Sequence, residues 1–394
     1  MWETDDNIVS GNNVSGGIHL NNCSFHIISG NFITKGGLGI EFCDNSTISE
    51  NVVNENPEVG IFLEYVNNSI IIGNTANHNG HEGINIQGSN NNVISENTAS
   101  YNNFTGIIIH NGDDNIIVEN TANHNNYSGI GLGNTQNGQV LNNNCSFNGE
   151  GITLDTDCNT TVQSNVFNNN IEYGVNLMGA SNNYINENTV NNNGNMGINL
   201  SPNSSYNEIV DNTVNFNGWL GIHFNDDSTN NLIMSNNCSW NNEGISVRTQ
   251  NNTISGNTIE YNSGVGLHFW NSDTIDNTVS NNITRNFIYY NQNGIKFSGN
   301  SSYNIIEGNR IIDNAEKGFW IEFGGHNNLI FNNTIINNLD SNAKDDGTNN
   351  QWDNGTLGNY WGDYSGKDAD DNGIGDTPYI IPGTTGSQDN YPIW

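Results

Sequence analysis

GINIQGSNNNVISENTASYNNFT (Gly83–Thr105) and GIIIHNGDDNIIVENTANHNNYS (Gly106–Ser128) are successive copies of one pattern, each about 23 residues long. Each opens on a glycine and a bulky residue. The same pair returns as Gly17-Ile18, Gly39-Ile40, Gly60-Ile61, Gly129-Ile130, Gly151-Ile152, Gly174-Val175, Gly197-Ile198, Gly221-Ile222, Gly244-Ile245, Gly266-Leu267, Gly294-Ile295 and Gly318-Phe319. A period of this size across most of a chain belongs to a solenoid, so length counts rungs rather than globular domains.

Within a rung, positions one and three after the glycine are apolar (Ile107 and Ile109, Val175 and Leu177, Leu267 and Phe269) and positions two and four are mostly polar. That alternation predicts a half-buried strand. A second short strand, such as Val93-Ile94-Ser95, runs into an asparagine, and another asparagine follows five residues later, as at Asn97 and Asn102. Asparagine tolerates left-handed backbone angles and stacked amides bond between layers, so these residues are expected at the corners. One coil buries too little to offset the entropy of ordering it, and pairing between coils must supply the difference. The fold predicted is all-β: a right-handed, single-stranded parallel β-helix of about 14 coils with a C-terminal aromatic cap. The repeats are assigned to residues 1–338 and the cap to 339–394. The step from Gly266 to Gly294 is longer than the rest, and its surplus falls in the turn around Asp273 to Asn281.

A net charge of -33, from 41 acidic against 8 basic residues, argues against nucleic acid or anionic lipid as a partner and favours a cation, a basic partner or a neutral glycan. No apolar run is long enough to span a membrane. Met1 leads at once into what reads as the middle of a rung, Asp6 to Asn12, so a processed or truncated piece is expected. The five cysteines form no disulfide framework. Cys145 and Cys238 stand where Ala76, Ala99, Ala122 and Val190 stand elsewhere, and are expected to be buried. The glycine register sets Cys23 and Cys43 two positions apart in neighbouring rungs, which does not favour a bond. Asn-x-Ser/Thr sequons recur, as composition alone dictates.

From Ser341 the composition turns aromatic, with Trp352, Tyr360, Trp361, Tyr364, Tyr379, Tyr391 and Trp394, as a plug over the open end of a solenoid requires. The matches WDNG (Trp352–Gly355), GNYW (Gly358–Trp361) and DNGIGDTPY (Asp371–Tyr379), together with the repeat, resemble the NosD-like family of right-handed β-helix proteins of CASH type. The resemblance covers most of the chain, and its repeats are described as domains of carbohydrate-binding proteins and sugar hydrolases. It implies an extracellular, cell-surface or periplasmic protein working on a glycan or cell-envelope polysaccharide, as a scaffold or adhesin. The family name comes from copper-site maturation, but copper is not expected here: the nine histidines are scattered, His78 and His124 share a rung position two coils apart, and no Cys-x-x-Cys or His/Met cluster occurs.

Two sites emerge. Asp368-Ala369-Asp370-Asp371-Asn372-Gly373-Ile374-Gly375-Asp376 places oxygen ligands as the first part of an EF-hand loop does, from Asp368, Asp370, Asn372, the carbonyl of Ile374 and Asp376. Tyr379 stands where the bidentate glutamate is due, so structural calcium here requires Asp363, Asp389 or water to complete the shell. The other site is the outward column near the long coil, with His223, Ser246, His268 and Lys296 at position two and Asn225, Arg248, Trp270 and Ser298 at position four. Trp270, Arg248, Asn225 and Lys296 suit a sugar ring, and Arg248, His268, His223, Asp226 and Asp227 are the candidates for acid-base chemistry by a polysaccharide lyase, hydrolase or epimerase. No neighbouring set completes a known lyase, polygalacturonase or epimerase scheme, so binding is expected before catalysis. A third column, His78, Tyr101, His124, Phe147, Phe216, Trp240, Tyr261 and Tyr290, reads either as a stacking platform for polymer chains or, as expected more often of such ladders, as internal stacks widening the core at a corner.

Overall fold

The computed structural model describes residues 6–270 and 278–394, in two compact units, Met1–Gly194 and Asn195–Trp394. The surplus of the long coil, Asp273 onward to 277, lies outside the described residues. Both units are parallel β-solenoids. The strand that follows each glycine stacks on its equivalent in the next coil, eight times in the first unit (Ile18–Ser24 to Tyr173–Met178) and seven in the second (Met196–Leu200 to Ser341–Asp345), about 15 turns of chain. A second sheet is built from strands such as Val93–Ser95 and Thr253–Ser255, and a third from short strands or single bridges such as Thr98↔Thr121.

The extra turn relative to expectation is the strand Ser341–Asp345, which has no leading glycine yet pairs in register with Lys317–Ile321. The coil continues through Tyr360–Trp361 on Thr334–Ile335.

Inward residues follow the alternation. Ile84, Ile86, Ile107 and Ile109 from the first sheet, Ile94 and Ile117 from the second, and Ala76, Ala99, Ala122, Cys145 and Val190 from the third are all fully buried or nearly so. In the second unit Cys238 is likewise buried, and the first sheet's inward row becomes aromatic towards the cap. Phe269, Phe297 and Phe319 meet edge-to-face at 4.8 and 5.3 Å, and Trp352 continues the row 5.3 Å beyond Phe319. Trp352 and Trp361 are buried, with their indole N–H groups donating to Asp345 Oδ2 and Asp389 Oδ2 at 2.9 Å each. The cap is thus a plug whose two buried indole N–H groups are satisfied internally.

The glycine period has a packing cause. A Cβ on Gly106 would lie 2.6 Å from the Ala99 carbonyl and 2.7 Å from Asn125 Nδ2, so only glycine fits beneath the corner. At the corner itself, the left-handed residue is not the asparagine but the one before it: Glu96 (φ 54°) before Asn97 and Tyr101 (φ 60°) before Asn102. That twist aims the following amide inward. Asn74 donates its backbone N–H and its Nδ2 to Asn97 Oδ1 at 2.9 and 3.0 Å, while Asn97 Nδ2 returns to the Ile71 carbonyl at 2.8 Å. Two such ladders run along each unit, and a third beyond those the sequence pattern indicated joins Asn92 to Asn115 in the first unit, where Gly138 then interrupts it, and Asn231, Asn252 and Asn281 in the second.

The same twist overturns the expectation of internal aromatic stacks. A residue with positive φ before an inward asparagine points outward, and Tyr101, Phe147 and Trp240 are each 51% exposed. The rings form surface ladders, His78–Tyr101–His124–Phe147 with centroids 4.7 to 5.0 Å apart and Phe216–Trp240–Tyr261–Tyr290 at 4.6 to 5.9 Å. Their faces cover one another, leaving edges to solvent.

Cys23 and Cys43 are bonded, with Cα atoms 4.5 Å apart. The expectation failed because Gly36-Gly37-Leu38-Gly39 offers two frames. Ile18 pairs with Leu38, so Gly37 rather than Gly39 leads this coil, and Cys23 falls directly opposite Cys43.

Candidate functional site

The second unit's first sheet presents an outward surface made by strands Glu243–Val247, Val265–Trp270, Asn293–Ser298, Lys317–Ile321 and Ser341–Asp345. Parallel in-register pairing lines up His223, Ser246, His268, Lys296, Trp320 and Lys344 in one column, and sets Trp270 against Ser298 in the next. Arg248 and Trp270 meet: the guanidinium lies 4.1 Å from the ring centroid, and Arg248 Nε is 3.8 Å from Asp226 Oδ1. Trp270 Nε1 donates to Ser246 Oγ at 3.2 Å. One face of the indole expected to receive a sugar is therefore occupied by Arg248.

Lys296 reaches the other way. Its Nζ is 3.0 Å from Glu322 Oε1 and 4.3 Å from the Trp320 ring centroid, which Lys317 approaches at 4.8 Å. Lys317 in turn pairs with Asp340 at 2.7 Å and Lys344 with Asp346 at 2.6 Å. The result is a half-exposed surface of cations, carboxylates and two indoles in which each cation has an acidic partner.

Of the remaining candidates, His268 is held on both ring nitrogens, with Glu243 Oε1 3.0 Å from Nδ1 and Ser298 Oγ 3.2 Å from Nε2. His223 is buried with Nδ1 unpartnered, and burial, assisted by the Arg248 charge, pushes its imidazole down to about 4. It is therefore neutral and out of reach of a substrate. Asn225 turns its Oδ1 onto the Asp226 N–H at 3.0 Å, and Asp227 is exposed beside it in a left-handed turn. Ser298 stood in the expected column, whereas Glu243, Lys317, Trp320 and Lys344 did not. Register arithmetic puts all of them on this surface, but Lys317 and Glu243 sit before the glycine, outside the alternation used to find outward positions.

In the cap, the acidic loop is exposed and folds on itself. Asp368 accepts the N–H groups of Asn372 at 3.2 Å and Gly373 at 2.8 Å, Asn372 Nδ2 donates to Asp370 at 2.9 Å, and Asp376 accepts the Ala369 N–H at 2.8 Å. Asp363 and Asp389 do not join it. Asp363 is taken by Asn342 and Tyr379, and Asp389 is buried against Asn359, Trp361 and Tyr391. Among the described residues no three His, Cys, Asp or Glu side chains are grouped as a metal cage, and no helix is long and apolar enough to cross a membrane.

The first unit's equivalent surface is different. Its coil Ser128–Gly133 has glycine at both outward positions, Gly131 and Gly133, which leaves a dent of about 210 Å³ lined in part by His110, Tyr127, Thr153 and Asp155. Beside it, Glu150 is nearly buried and hydrogen-bonded to Thr153 at 2.6 Å, and burial raises its pKa.

Residues 1–131, 43–189 and 105–247 match the family described as right handed beta helix region, and residues 239–366 match periplasmic copper-binding protein (NosD). A curated relative, the probable ABC transporter binding protein NosD of Pseudomonas aeruginosa, is 39% identical over 83 residues, 21% of this chain and 19% of that protein. The match thus spans about a fifth of the relative's length. Among solved structures, the A-module of the Azotobacter vinelandii mannuronan C-5 epimerase AlgE4 superposes with a TM-score of 0.52 at 18% identity, covering 63% of this chain and 81% of its own. The periplasmic alginate epimerase AlgG does so at 0.50 and 15%, covering 72% and 76%. At these identities the likeness is one of fold.

Proposed function

We propose that this chain, which belongs to the right-handed β-helix family, binds a polysaccharide along the outward surface of its second unit. The carrying observation is that Arg248, Lys296, Lys317 and Lys344, four of the eight basic residues of a chain with net charge -33, gather there around Trp270 and Trp320. Because each cation is paired with a carboxylate, the surface suits a hydroxyl-rich sugar against indole better than a polyanion. Partly exposed ion pairs are worth about 0 to 1 kcal/mol, so a pyranose displaces the lysine chains from Trp320 at little cost. The solved epimerases act on mannuronan and on alginate by name, which agrees with a glycan partner. The Cys23–Cys43 bond fits an oxidising compartment, in keeping with a periplasmic, surface or secreted protein.

A glycan array followed by calorimetry tests the reading. Trp320→Ala and Trp270→Ala should each weaken binding by about tenfold or more. An array with no ligand, or affinity unchanged in both variants, overturns it.

We also infer that calcium fastens the cap. Asp368, Asp370, Asn372, the Ile374 carbonyl and Asp376 would hold it, with water completing the shell in place of Asp363 and Asp389. The spacing of these oxygen donors in one exposed loop supports the reading, and bonds from Trp394 N–H to Gly373 O and from Gly375 N–H to Pro392 O would carry the ion's effect into the cap. Chelation should lower the melting temperature, and Asp370→Ala should abolish that response; no shift on chelation contradicts the inference.

A further inference from the structure

Glu243, His268 and Ser298 come from three successive coils and lie on a diagonal across the surface just described. The carboxylate of Glu243 is 3.0 Å from His268 Nδ1, and the hydroxyl of Ser298 is 3.2 Å from His268 Nε2. These two contacts fix the ring's orientation, and the tautomer that suits a carboxylate beside Nδ1 carries its proton there and turns the Nε2 lone pair to the hydroxyl. This is the arrangement of nucleophile, base and orienting acid that defines a hydrolytic triad by geometry rather than by fold. His268 and Glu243 are 14% and 18% exposed, enough shielding to hold the pair together, while Ser298 is half-exposed at the end of its strand. Gly299, at φ 64°, then turns the chain.

We propose that Ser298, His268 and Glu243 form a serine-esterase triad that removes acyl substituents, such as O-acetyl groups, from the polysaccharide bound on this surface. Only the identity of the acyl carrier rests on the glycan reading; the chemistry stands apart from it. Ser298 Oγ attacks the acyl carbon and its proton passes to His268 Nε2. The ester C–O bond breaks, and the sugar oxygen leaves with that proton. Water then attacks the acyl carbon, giving its proton to His268; the bond between the acyl carbon and Ser298 Oγ breaks, Oγ takes that proton back from His268 and the carboxylic acid departs. Glu243 acts as a positioning residue.

The test uses the full chain with a fluorophosphonate probe and p-nitrophenyl acetate. One label per chain is expected, mapped by mass spectrometry to Ser298. Esterase activity should fall at least about 100-fold in Ser298→Ala and His268→Ala. Glu243→Gln should lower kcat with little change in KM and alter the pH profile, which a purely structural contact would not do. Ser298→Ala alters only a half-exposed strand end and guards against a result caused by misfolding. Absence of label on Ser298, or equal acetate release from wild type and Ser298→Ala, overturns the triad. Glycan binding without labelling would sink the triad alone, and labelling without glycan binding would sink the glycan reading alone.

Discussion

The two units share a scaffold and differ in what they show to solvent. Inside, both stack aliphatic residues between asparagine ladders of the same geometry: Asn74 to Asn97 and Asn257 to Asn286 each join Nδ2 to Oδ1 at 3.0 and 2.9 Å. Outside, the outward column in register reads Asn85, Ile108, Gly131, Thr153 and Asn176 in the first unit, against Ser246, His268, Lys296, Trp320 and Lys344 in the second. Lys35 is the one basic residue of the first unit, and the other seven lie in the second. A solenoid whose fold is fixed by corners and inward rows leaves its outward rows free, so charge and indole accumulate where binding is selected without disturbing the core.

The largest expected effect is on what the units share. Asn97→Ala removes the acceptor of the Asn74 N–H and Nδ2, and Asn286→Ala that of the Asn257 N–H and Nδ2. With about 1 to 3 kcal/mol for each orphaned group, either variant should lose about 2 to 6 kcal/mol in denaturant unfolding. A large loss in one unit and none in the other would break the claim of a common scaffold. Next is Cys23→Ser with Cys43→Ser, which opens a link across 20 residues and should cost the first unit about 3 kcal/mol, leaving the second unchanged by hydrogen exchange.

Acidity should divide the units. His223, in the second, is held at about 4 against an ordinary 6.5, so the unfolded chain takes the proton first and stability falls as pH drops from about 6.5 to 4. Asp157, in the first, is buried with Oδ2 unpartnered and is pushed up to about 7 from 3.8. There the folded form keeps the proton, and stability falls as pH rises from about 4 to 7. Unit-resolved hydrogen exchange should give slopes of opposite sign, flattened by His223→Gln and Asp157→Asn respectively; parallel slopes would contradict both assignments. Smallest is the effect of Arg248→Ala on folding, about 1 kcal/mol or less, because its contacts with Trp270 and Asp226 are partly exposed.

The periodic part of the molecule was legible in sequence because each coil repeats the same physical demand. The glycine beneath the corner, the inward isoleucines and the amide ladders all recur at one spacing. What failed did so where two frames coexist or where a single φ decides a direction. Gly37 and Gly39 both fit the pattern, and choosing the wrong one hid the Cys23–Cys43 bond. The left-handed residue before each asparagine sends Tyr101 and Trp240 outward, which hydrophobicity alone does not reveal. The outward columns at His268 and Trp270 were legible from register, whereas the Arg248 lid on Trp270 and the Glu243–His268–Ser298 diagonal depend on rotamers spanning coils more than 20 residues apart.

Carbene footprinting of the intact protein, with and without the tightest oligosaccharide from the array, tests the central claim most directly. The account predicts that bound sugar protects Trp270, Lys296 and Trp320 while labelling of Ile108, Tyr127 and the edges of Tyr101 and Trp240 is unchanged. Protection centred on the first unit's dent or on the aromatic ladders, with Trp270 and Trp320 labelled as before, would contradict it.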